Sequence, residues 1–341
     1  MTKINDSALS KLKNRIEKSW YGEKWLNAWL LPLSATFFVF SHLRRIGLTY
    51  VVKPTKNNTI PVVVIGNINV GGTGKTPLTC QLVKELNRKG IRVGIISRGY
   101  GSHAPEYPYL LTKNDDAYTV GDEPKLLRDR LSCPVVIGPD RNAAIKLMSE
   151  QSIDLILSDD GLQHYKMARD YEIVVLDATR KLGNGWLLPA GPLREGAWRL
   201  KTVNTVIYNG TNKMTNGMEI VPSAWVNAKT GDRKALDFFA GQQLHAVAGI
   251  GNPERFFATL NTLSVSHKDH VFPDHHGFIK SDLILADDFS SQIVMTEKDW
   301  VKCSEFADEN MWYLEINASL NETLESKLIN DLTLLVNRQA S

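Results

Sequence analysis

Short apolar runs alternate with amphipathic stretches through most of this chain. The apolar runs cover residues 61–65, 91–97, 133–138, 153–159, 171–178 and 203–209. Strands that are buried on both faces of a parallel sheet read as such continuous runs of Val, Ile and Leu. Stretches with helical spacing, at 124–131 and 141–151, fall between the runs. The pattern therefore predicts an α/β fold with a doubly wound, mostly parallel sheet.

The alternation is lost between about 210 and 236, where the sequence becomes polar and rich in Gly, Asn and Lys. A second, smaller α/β domain is predicted after this junction. Its apolar runs lie at 244–250, 264–268, 292–296 and 311–316, and a helical pattern follows at 322–339. We predict three parts: a membrane-associated helical segment over 1–50, a main domain over 51–218 and the smaller domain over 219–341.

The stretch 25–43 is uncharged and strongly apolar, and basic residues flank it. Aromatic residues gather at its start, as interfacial anchors do: Trp20, Tyr21, Trp25 and Trp29. Polar residues and a proline lower its hydrophobicity below that of a typical spanning helix. A helix lying in the membrane interface is therefore favoured over a spanning helix, and a buried core helix is the third alternative. A signal peptide is not indicated, because no small-residue cleavage site precedes the first predicted strand.

The composition fits a cytosolic enzyme with two domains, because 341 residues with 43% apolar and 23% charged residues can bury a large core. The three cysteines are far apart and form no Cys-x-x-Cys pair, which indicates neither disulfides nor a zinc site. The net charge is only +3, but residues 1–60 hold ten Lys and Arg against three acidic residues. This excess predicts an anionic partner surface, and the apolar stretch beside it favours a membrane over nucleic acid.

A glycine-rich turn follows the first apolar run, in the sequence PVVVIGNINVGGTGKT at 61–76. Such glycines allow the tight path with which backbone N–H groups surround phosphates, just before a helix begins. Lys75 would reach the β- and γ-phosphates and Thr76 would bind Mg²⁺, while Asn69, which tolerates left-handed backbone, replaces the usual first glycine. The predicted nucleoside triphosphate site, typical of a P-loop NTPase-like fold, comprises Asn69, Gly71, Gly72, Thr73, Gly74, Lys75 and Thr76. A turn that only joins a strand to a helix is the alternative.

Acidic residues lie where a Mg²⁺-dependent triphosphate enzyme needs them. Asp159 and Asp160 end an apolar run, as a Walker-B-like site does, and one of them would hold Mg²⁺. The alternative is a solvated turn with a polar tip. A second acidic pair, Asp122 and Glu123, opens a helix after Gly121. Acidic residues are common at helix starts for capping reasons, so this pair taken alone favours a structural role.

Basic residues follow strand ends or open helices near the predicted site, namely Arg98, Arg141 and Arg194, the last beside Glu195. Guanidinium groups suit phosphate oxygens, so these arginines are candidate phosphate contacts. The run FPDHHGF places His275 and His276 in a predicted loop. Its spacing is a weak metal signal, and a histidine that supports a carboxylate base is the better functional interpretation, against an ordinary loop histidine.

A series of motifs stands in a fixed order along the chain: the N-terminal Trp-Tyr and apolar segment, GNINVGGTGKTP, ISRGYG, VGDEP, GPDR, SDDGLQH, LLPAGPLRE, FPDHH and TEKDWVK. Together these motifs resemble the tetraacyldisaccharide 4′-kinases of lipid A biosynthesis in Gram-negative bacteria. The resemblance extends over nearly the whole chain. One departure is Gly196, where the family pattern has Pro after GPLRE, and it leaves the shape of that loop open.

The resemblance implies a kinase, dependent on ATP and Mg²⁺, for a late step in lipid A biosynthesis. It would transfer the γ-phosphate to the 4′-hydroxyl of a tetraacylated glucosamine disaccharide 1-phosphate lipid. Asp122 would be the general base, paired with His275 across a cleft between the domains, and Lys75 would hold the phosphates. The implied Mg²⁺ site comprises Thr76, Asp159, Asp160 and Glu123, and the implied substrate contacts are Arg98, Arg141, Arg194 and Glu195. The implied location is the cytoplasmic face of the inner membrane, as a peripheral or monotopic protein.

Two other functions use the same kind of phosphate-binding turn. A P-loop GTPase or metallochaperone would share it, but the guanine-binding Asn-Lys-x-Asp run is missing, and its nearest match at 297–299 has the wrong spacing. A membrane-docked nucleotide-binding adaptor would explain the N-terminal segment but would leave the GDEP and DHH motifs unused. Nucleotide preference and turnover with the acceptor lipid distinguish the three functions.

Overall fold

The structure is a computed structural model, and it describes residues 16–22, 24–51, 60–285 and 292–340. Six of the ten basic residues predicted to face an anionic surface lie outside the described residues, at positions within 1–15 and 52–59. The side chain of Trp25, one of the predicted interfacial anchors, is also outside them.

The longer helices of the described residues lie where helical stretches were predicted, whereas α3 and α7 were not predicted. The α-helices are α1 (Leu31–Ile46), α2 (Lys75–Arg88), α3 (Ala117–Val120), α4 (Asp122–Arg130), α5 (Arg141–Ser149), α6 (Pro253–Thr262), α7 (Glu297–Cys303) and α8 (Glu322–Ala340). Short 3₁₀ helices lie at Lys24–Leu30, Ala197–Lys201, Lys280–Leu283 and Ser304–Phe306, and a π-helical turn lies at Gly47–Val51.

The strands of the described residues form a single large sheet. They are β1 (Val62–Gly66), β2 (Val93–Ser97), β3 (Tyr109–Leu110), β4 (Val135–Ile137), β5 (Leu155–Asp159), β6 (Tyr171–Asp177), β7 (Thr205–Asn209), β8 (Gly217–Asn227), β9 (Arg233–Lys234), β10 (Gln243–Ala248), β11 (Ser266–Val271), β12 (Ile293–Thr296) and β13 (Met311–Leu320). Their order is β11-β10-β12-β13-β8-β7-β6-β1-β5-β2-β4-β3, with β9 paired to β8. Pairing is antiparallel at β3–β4, β8–β9 and β8–β13 and parallel elsewhere, so the predicted mostly parallel α/β fold is confirmed.

The strand β1, which delivers the glycine-rich turn, lies in the middle of the sheet between β5 and β6. Its side chains alternate between two layers of core, as the two-residue period of a strand requires. Val63 packs in the same cluster as Leu78 of α2, whereas Val64 packs with Ile145 of α5 on the opposite face. Burial on both faces explains why this strand reads as a continuous apolar run.

The polar stretch predicted as a junction contains the 11-residue strand β8, which the sequence pattern did not indicate. The strand runs parallel to β7 at Gly217 and Met218 and antiparallel to β13 along its length, so its backbone groups are paired despite a half-exposed middle. Glu219, Pro222 and Ser223 interrupt the apolar residues of this strand, so it does not read as a continuous apolar run. β8 joins the two halves into one sheet, and the division at 218 and 219 stays a prediction.

The last helix, α8, covers the first half of the sheet as well as ending the second. Its predicted apolar face is buried in the same cluster as β1 and α2, through Leu324, Leu328, Ile329 and Leu332. The α2 side chain of Gln81 also donates a hydrogen bond to Glu325, at 2.7 Å. The core around the glycine-rich turn therefore includes residues from the end of the chain.

The N-terminal helix α1 lies on the protein by one face and leaves an apolar face exposed. Its buried Ser34 donates to the carbonyl oxygen of Leu187 at 2.9 Å and accepts from the N–H of Ala190 at 3.0 Å. The exposed apolar side chains of the helix are Leu31, Leu33, Phe38, Val39, Phe40, Leu43 and Ile46. Among the described residues, no helix combines the length and the apolarity needed to cross a membrane.

One predicted interfacial anchor is instead part of the protein core. Trp20 is 7% exposed, and its indole N–H donates to the carbonyl oxygen of Pro189 at 3.1 Å. An indole N–H that is already hydrogen-bonded inside the protein does not anchor its side chain at the membrane interface. Trp29 is 64% exposed and remains available as an anchor.

Candidate active site

The glycine-rich turn connects β1 to α2 and adopts backbone conformations that favour glycine. Gly71 has φ +109° and Gly74, the N-cap of α2, has φ +90°. The side chain of Asn67 donates to the carbonyl oxygen of Gly71 at 3.1 Å, which closes the turn on itself. The result is a loop that leads into a helix N-terminus, the arrangement in which backbone N–H groups bind phosphate.

Asn69 occupies the position of the missing first glycine without a left-handed backbone, contrary to the reason given for it above. The residue is 2% exposed, forms a bridge to Leu193, and donates its side-chain N–H to the carbonyl oxygen of Lys181 at 3.2 Å. Its contacts therefore tie the turn to the loop before Arg194.

A second asparagine, which the sequence did not identify, supports the turn from β7. The side-chain N–H of Asn209 donates to the carbonyl oxygen of Thr73 at 3.0 Å, and Asn209 is buried. A Cβ atom on Gly74 would lie 2.6 Å from the same nitrogen. Only a glycine fits at this position, for reasons of both space and backbone conformation.

Lys75 and Thr76 open α2, directly behind the turn. The Lys75 ammonium lies 3.3 Å from Asp160 Oδ1, and Arg194 lies 3.5 Å from Asp160 Oδ2. Burial opposes ionisation, but these two cations hold the pKa of Asp160 below its ordinary value. Asp160 also has a left-handed φ of +49°, which is uncommon for a residue with a side chain. The structure thus brings together three of the predicted site residues, Lys75, Asp160 and Arg194.

Asp159, at the end of β5, is fully buried, and the nearby cations Lys75 and Arg141 only partly offset the cost of its charge. Burial raises its pKa to about 7, with the nearby Glu123 acting in the same direction. Its Oδ1 atom makes no hydrogen bond within the described part of the chain. A buried carboxylate oxygen without a partner fits a cation ligand, and Mg²⁺ needs only one or two carboxylates when it also binds phosphates and water. No group of three or more His, Cys, Asp or Glu side chains in the described residues is arranged to hold a metal by itself.

Asp122 and His275 are in direct contact, although 153 residues separate them in the sequence. Asp122 Oδ2 lies 2.9 Å from His275 Nδ1, and this hydrogen bond raises the pKa of His275 above its ordinary value. The N-cap of α4 is Gly121, so capping does not account for the Asp122 side chain. His276 turns elsewhere and bonds to Asp282 at 2.9 Å. The question of which histidine meets the acidic motif is thereby answered in favour of His275.

Glu123 is engaged by a residue that the sequence did not single out. Its carboxylate is hydrogen-bonded to the ammonium group of Lys298, on α7. Lys298 lowers the pKa of Glu123 most, and Lys75 lowers it further, which indicates that Glu123 lies near both cations. A role for Glu123 as a direct Mg²⁺ ligand stays a prediction and would require Lys298 to give up this bond.

The remaining predicted contacts differ in how accessible they are. Arg98 is exposed after β2, whereas Arg141 is 2% exposed and donates to the carbonyl oxygens of Gly138 at 3.0 Å and Asp159 at 3.1 Å. Burial lowers the pKa of Arg141 to about 10. Arg141 thus supports the strand end beneath the site, and a direct phosphate contact by it stays a prediction.

Glu195 belongs to a buried polar network next to α1. It accepts a hydrogen bond from Gln163 at 3.0 Å and another from the hydroxyl of Tyr165. Burial raises the pKa of Glu195. A cleft beside it is lined by α1 on one side and by the loop with Arg194 and Trp198 on the other. The predicted substrate residues Arg194 and Glu195 therefore lie between the phosphate-binding turn and the exposed N-terminal helix.

Comparison with known proteins gives a consistent result. A family model described as tetraacyldisaccharide-1-P 4′-kinase matches residues 26–333. A tetraacyldisaccharide 4′-kinase of Legionella pneumophila (strain Corby) is 44% identical over 310 residues, which is 90% of this chain and 94% of the relative. The enzyme of the same name from Hahella chejuensis is 42% identical over 323 residues, covering 92% of this chain and 95% of the relative.

A solved structure is also similar over most of its length. It is LpxK from Aquifex aeolicus, crystallised in complex with ATP, and it matches with a TM-score of 0.74 at 25% sequence identity. The match covers 91% of this chain and 99% of that chain. The resemblance and the fold predicted from the sequence motifs are confirmed by these findings.

Proposed function

The chain belongs to the tetraacyldisaccharide 4′-kinase family, and on this premise we propose that it is an ATP-dependent lipid kinase. It transfers the γ-phosphate of ATP to the 4′-hydroxyl of a tetraacylated glucosamine disaccharide 1-phosphate, a late step in lipid A biosynthesis. The observation that carries this function is the Asp122–His275 hydrogen bond of 2.9 Å, next to a turn built for a triphosphate. A phosphate-binding turn alone would suit many nucleotide-binding proteins, whereas a paired carboxylate beside it suits transfer to a hydroxyl group.

The nucleotide is held by the backbone of residues 69–76 and by the ammonium group of Lys75. Lys75 reaches the β- and γ-phosphates once it exchanges Asp160 for phosphate oxygens. Thr76 and Asp159, with Asp160 and Glu123 nearby, hold Mg²⁺ in this proposal, and the unpartnered buried oxygen of Asp159 supports it. When bound, Mg²⁺ neutralises charge on the phosphate oxygens.

Asp122 is the general base of the proposed reaction. Its carboxylate accepts the proton of the 4′-hydroxyl as the sugar oxygen bonds to the γ-phosphorus and ADP departs with the bridging oxygen. His275 holds the carboxylate in place through Nδ1, and its raised pKa means that the ring keeps its proton more readily in this contact. The transition state of phosphoryl transfer is loose, so positioning and charge neutralisation carry most of the catalysis.

The acceptor lipid approaches from the side of α1. Arg194 and Glu195 are the closest of the predicted substrate residues to that helix, and Arg98 is exposed enough to reach a phosphate. The last turn of α1 carries the exposed Arg44 beside its exposed apolar face, whereas the guanidinium of Arg45 lies over the ring of Trp198 at 3.9 Å. A basic edge next to apolar side chains suits an anionic membrane surface, so we place the enzyme at the cytoplasmic face of the inner membrane.

The test of the activity is incubation with labelled ATP and the disaccharide 1-phosphate lipid, scored for a new phosphomonoester on the lipid. Labelled GTP in a parallel reaction distinguishes a GTPase, and ATP without lipid distinguishes simple hydrolysis. A folded protein that binds ATP but forms no phosphorylated lipid would leave the adaptor alternative and would overturn the proposed activity.

To test the membrane contact, we choose side-chain substitutions rather than deletion of residues 1–40. The deletion would also remove Trp20 and Ser34, which hold this segment to the core. The double substitution Phe40→Ser and Leu43→Ser changes only side chains that are 69% and 60% exposed. We expect this variant to lose most of its binding to anionic vesicles, since each residue contributes apolar area to the contact. Sedimentation with vesicles at the wild-type level would show that the membrane contact lies elsewhere.

A further inference from the structure

Helix α4, whose first residue is Asp122, is held at both of its ends by the first two residues of α7. Glu123, in its first turn, bonds to Lys298. Arg130, its last residue, donates through Nη1 to the carboxylate of Glu297 at 2.9 Å. The two ends are about two helical turns apart, so adjacent residues of α7 reach both through long side chains.

The start of α7 is itself firmly anchored. The N–H of Asp299 donates to the hydroxyl of Thr296, which caps the helix, at 3.2 Å. The Asp299 carboxylate is fully buried and accepts from the N–H of Gly249 at 3.1 Å. Lys298 therefore extends toward Glu123 from a backbone fixed to the central strands of the second half.

The surroundings of the Lys298 ammonium are acidic and come from both halves of the sheet. Although burial acts to lower it, the pKa of Lys298 is raised by Glu123, Asp159 and Asp274. Asp274 lies next to His275, and Glu123 lies next to Asp122. Lys298 thus lies near Glu123, which follows Asp122 in the sequence, and near Asp274, which precedes His275.

We propose that Lys298 is a positioning residue for phosphoryl transfer, which fixes the first turn of α4 and thereby aims the Asp122 carboxylate at the acceptor hydroxyl. This inference rests on the proposed function. It gives a role to the TEKDWVK motif, to which the sequence alone assigns no role. The buried side chains of Leu126 and Leu127 and the Arg130–Glu297 pair hold the rest of the helix, and the Lys298 bond adds a contact at the first turn, one residue from Asp122.

The experiment compares Lys298→Met, Lys298→Arg and wild-type enzyme in the lipid phosphorylation assay. Lys298→Met should lower kcat on the order of 10- to 100-fold, as misplacement of a catalytic group does, with a much smaller change in the KM for ATP. Lys298→Arg keeps the charge and should recover most of the lost rate. Lys229→Met is the matched control, since it removes an exposed pair with Glu309, at 3.4 Å, in the second half of the chain.

A double-mutant cycle identifies the partner. If Lys298 acts through Glu123, the pair Lys298→Met and Glu123→Gln should lose little more rate than the worse single variant. If the losses of the two single variants multiply in the double variant, the proposal is overturned. It is also overturned if Lys298→Met keeps the wild-type kcat, or if a rise in the KM for ATP accounts for the whole loss of activity. Thermal unfolding of each variant separates misfolding from misplacement, and failure of wild-type enzyme to phosphorylate the lipid would refute the proposed function instead.

Discussion

The phosphate-binding turn and the Asp122–His275 pair are built in opposite ways. The turn comes from one contiguous stretch, residues 61–76, and is buttressed by the buried side chains of Asn69 and Asn209. The pair joins residues 153 positions apart, and the side chain of His275 is 48% exposed. The proposed nucleotide site is thus supported by buried side chains next to the turn, whereas the proposed catalytic pair depends on how α4 meets the loop after β11. Substitutions in the two regions should therefore fail in different ways.

Asp122→Ala is expected to give the largest difference between its effect on kcat and its effect on ATP binding. Loss of a general base should lower kcat roughly 10²- to 10⁴-fold, while the Kd for ATP stays close to the wild-type value because the turn is intact. Single-turnover kinetics and calorimetry measure the two quantities separately. Asp282→Asn is the control, since it alters the neighbouring carboxylate–histidine pair with His276 and should leave the rate nearly unchanged. Wild-type turnover by Asp122→Ala would refute the assigned base.

Lys75→Ala should change both kcat and the Kd for ATP. Removing the ammonium group from the phosphates is expected to lower kcat on the order of 10²- to 10³-fold and to weaken ATP binding as well. The same two measurements apply, with Lys89→Ala, an exposed residue beyond the end of α2, as the control. Unchanged ATP affinity in Lys75→Ala would mean that the turn holds the nucleotide by its backbone alone.

Gly74→Ala tests whether the turn is as rigid as its contacts indicate. The residue combines φ +90° with a Cβ position 2.6 Å from Asn209, so alanine should destabilise the fold by about 1–3 kcal/mol. Gly72→Ala is the control, because nothing lies within 4 Å of its Cβ position. Urea unfolding of the two variants measures the difference. Equal stabilities would show that the turn adapts easily.

The smallest expected effect is a pH dependence of the free energy of unfolding, and it arises from the Asp122–His275 pair. The pKa of His275 is raised above 6.5 in the folded state by its bond to Asp122, so the pair stabilises the fold below that pH. The contribution is lost as the pH rises through the higher folded pKa. For a pair this exposed, it should amount to about 0.2–1 kcal/mol. Unfolding of wild-type protein and His275→Gln across this range should show a gap that closes with rising pH; a constant gap would contradict the assignment.

The sequence predicted the turn and the strands around it well because these features are local. A run of buried residues, three glycines and Lys-Thr carry their own geometry, and β1, β2 and β4 to β7 follow the apolar runs, whereas the two-residue strand β3 was not predicted. The strand β8 was missed because Glu219, Pro222 and Ser223 break up its apolar residues, while its backbone is paired with β13. Trp20 was misassigned because an indole that reaches Pro189 cannot be recognised from its neighbours in sequence.

The candidate site was predictable only in part, for a related reason. Asp122 and His275 were identified through the family resemblance, since a helix-opening acid and a loop histidine are common separately. Asn209 and Lys298 were not identified, because their significance lies in contacts with Thr73 and Glu123, far along the chain. Such contacts depend on the packing of whole elements, which residue patterns alone do not specify.

The position of α8 has a consequence for how the protein is made. The nineteen-residue helix α8 completes the hydrophobic layer over β1 and α2, so the half of the sheet that carries the glycine-rich turn cannot finish its core until this helix has been synthesised. Premature stop codons anywhere upstream of Glu322 should leave Leu78 and its neighbours uncovered. Correct folding around the glycine-rich turn thereby depends on a segment that is translated much later than the turn itself.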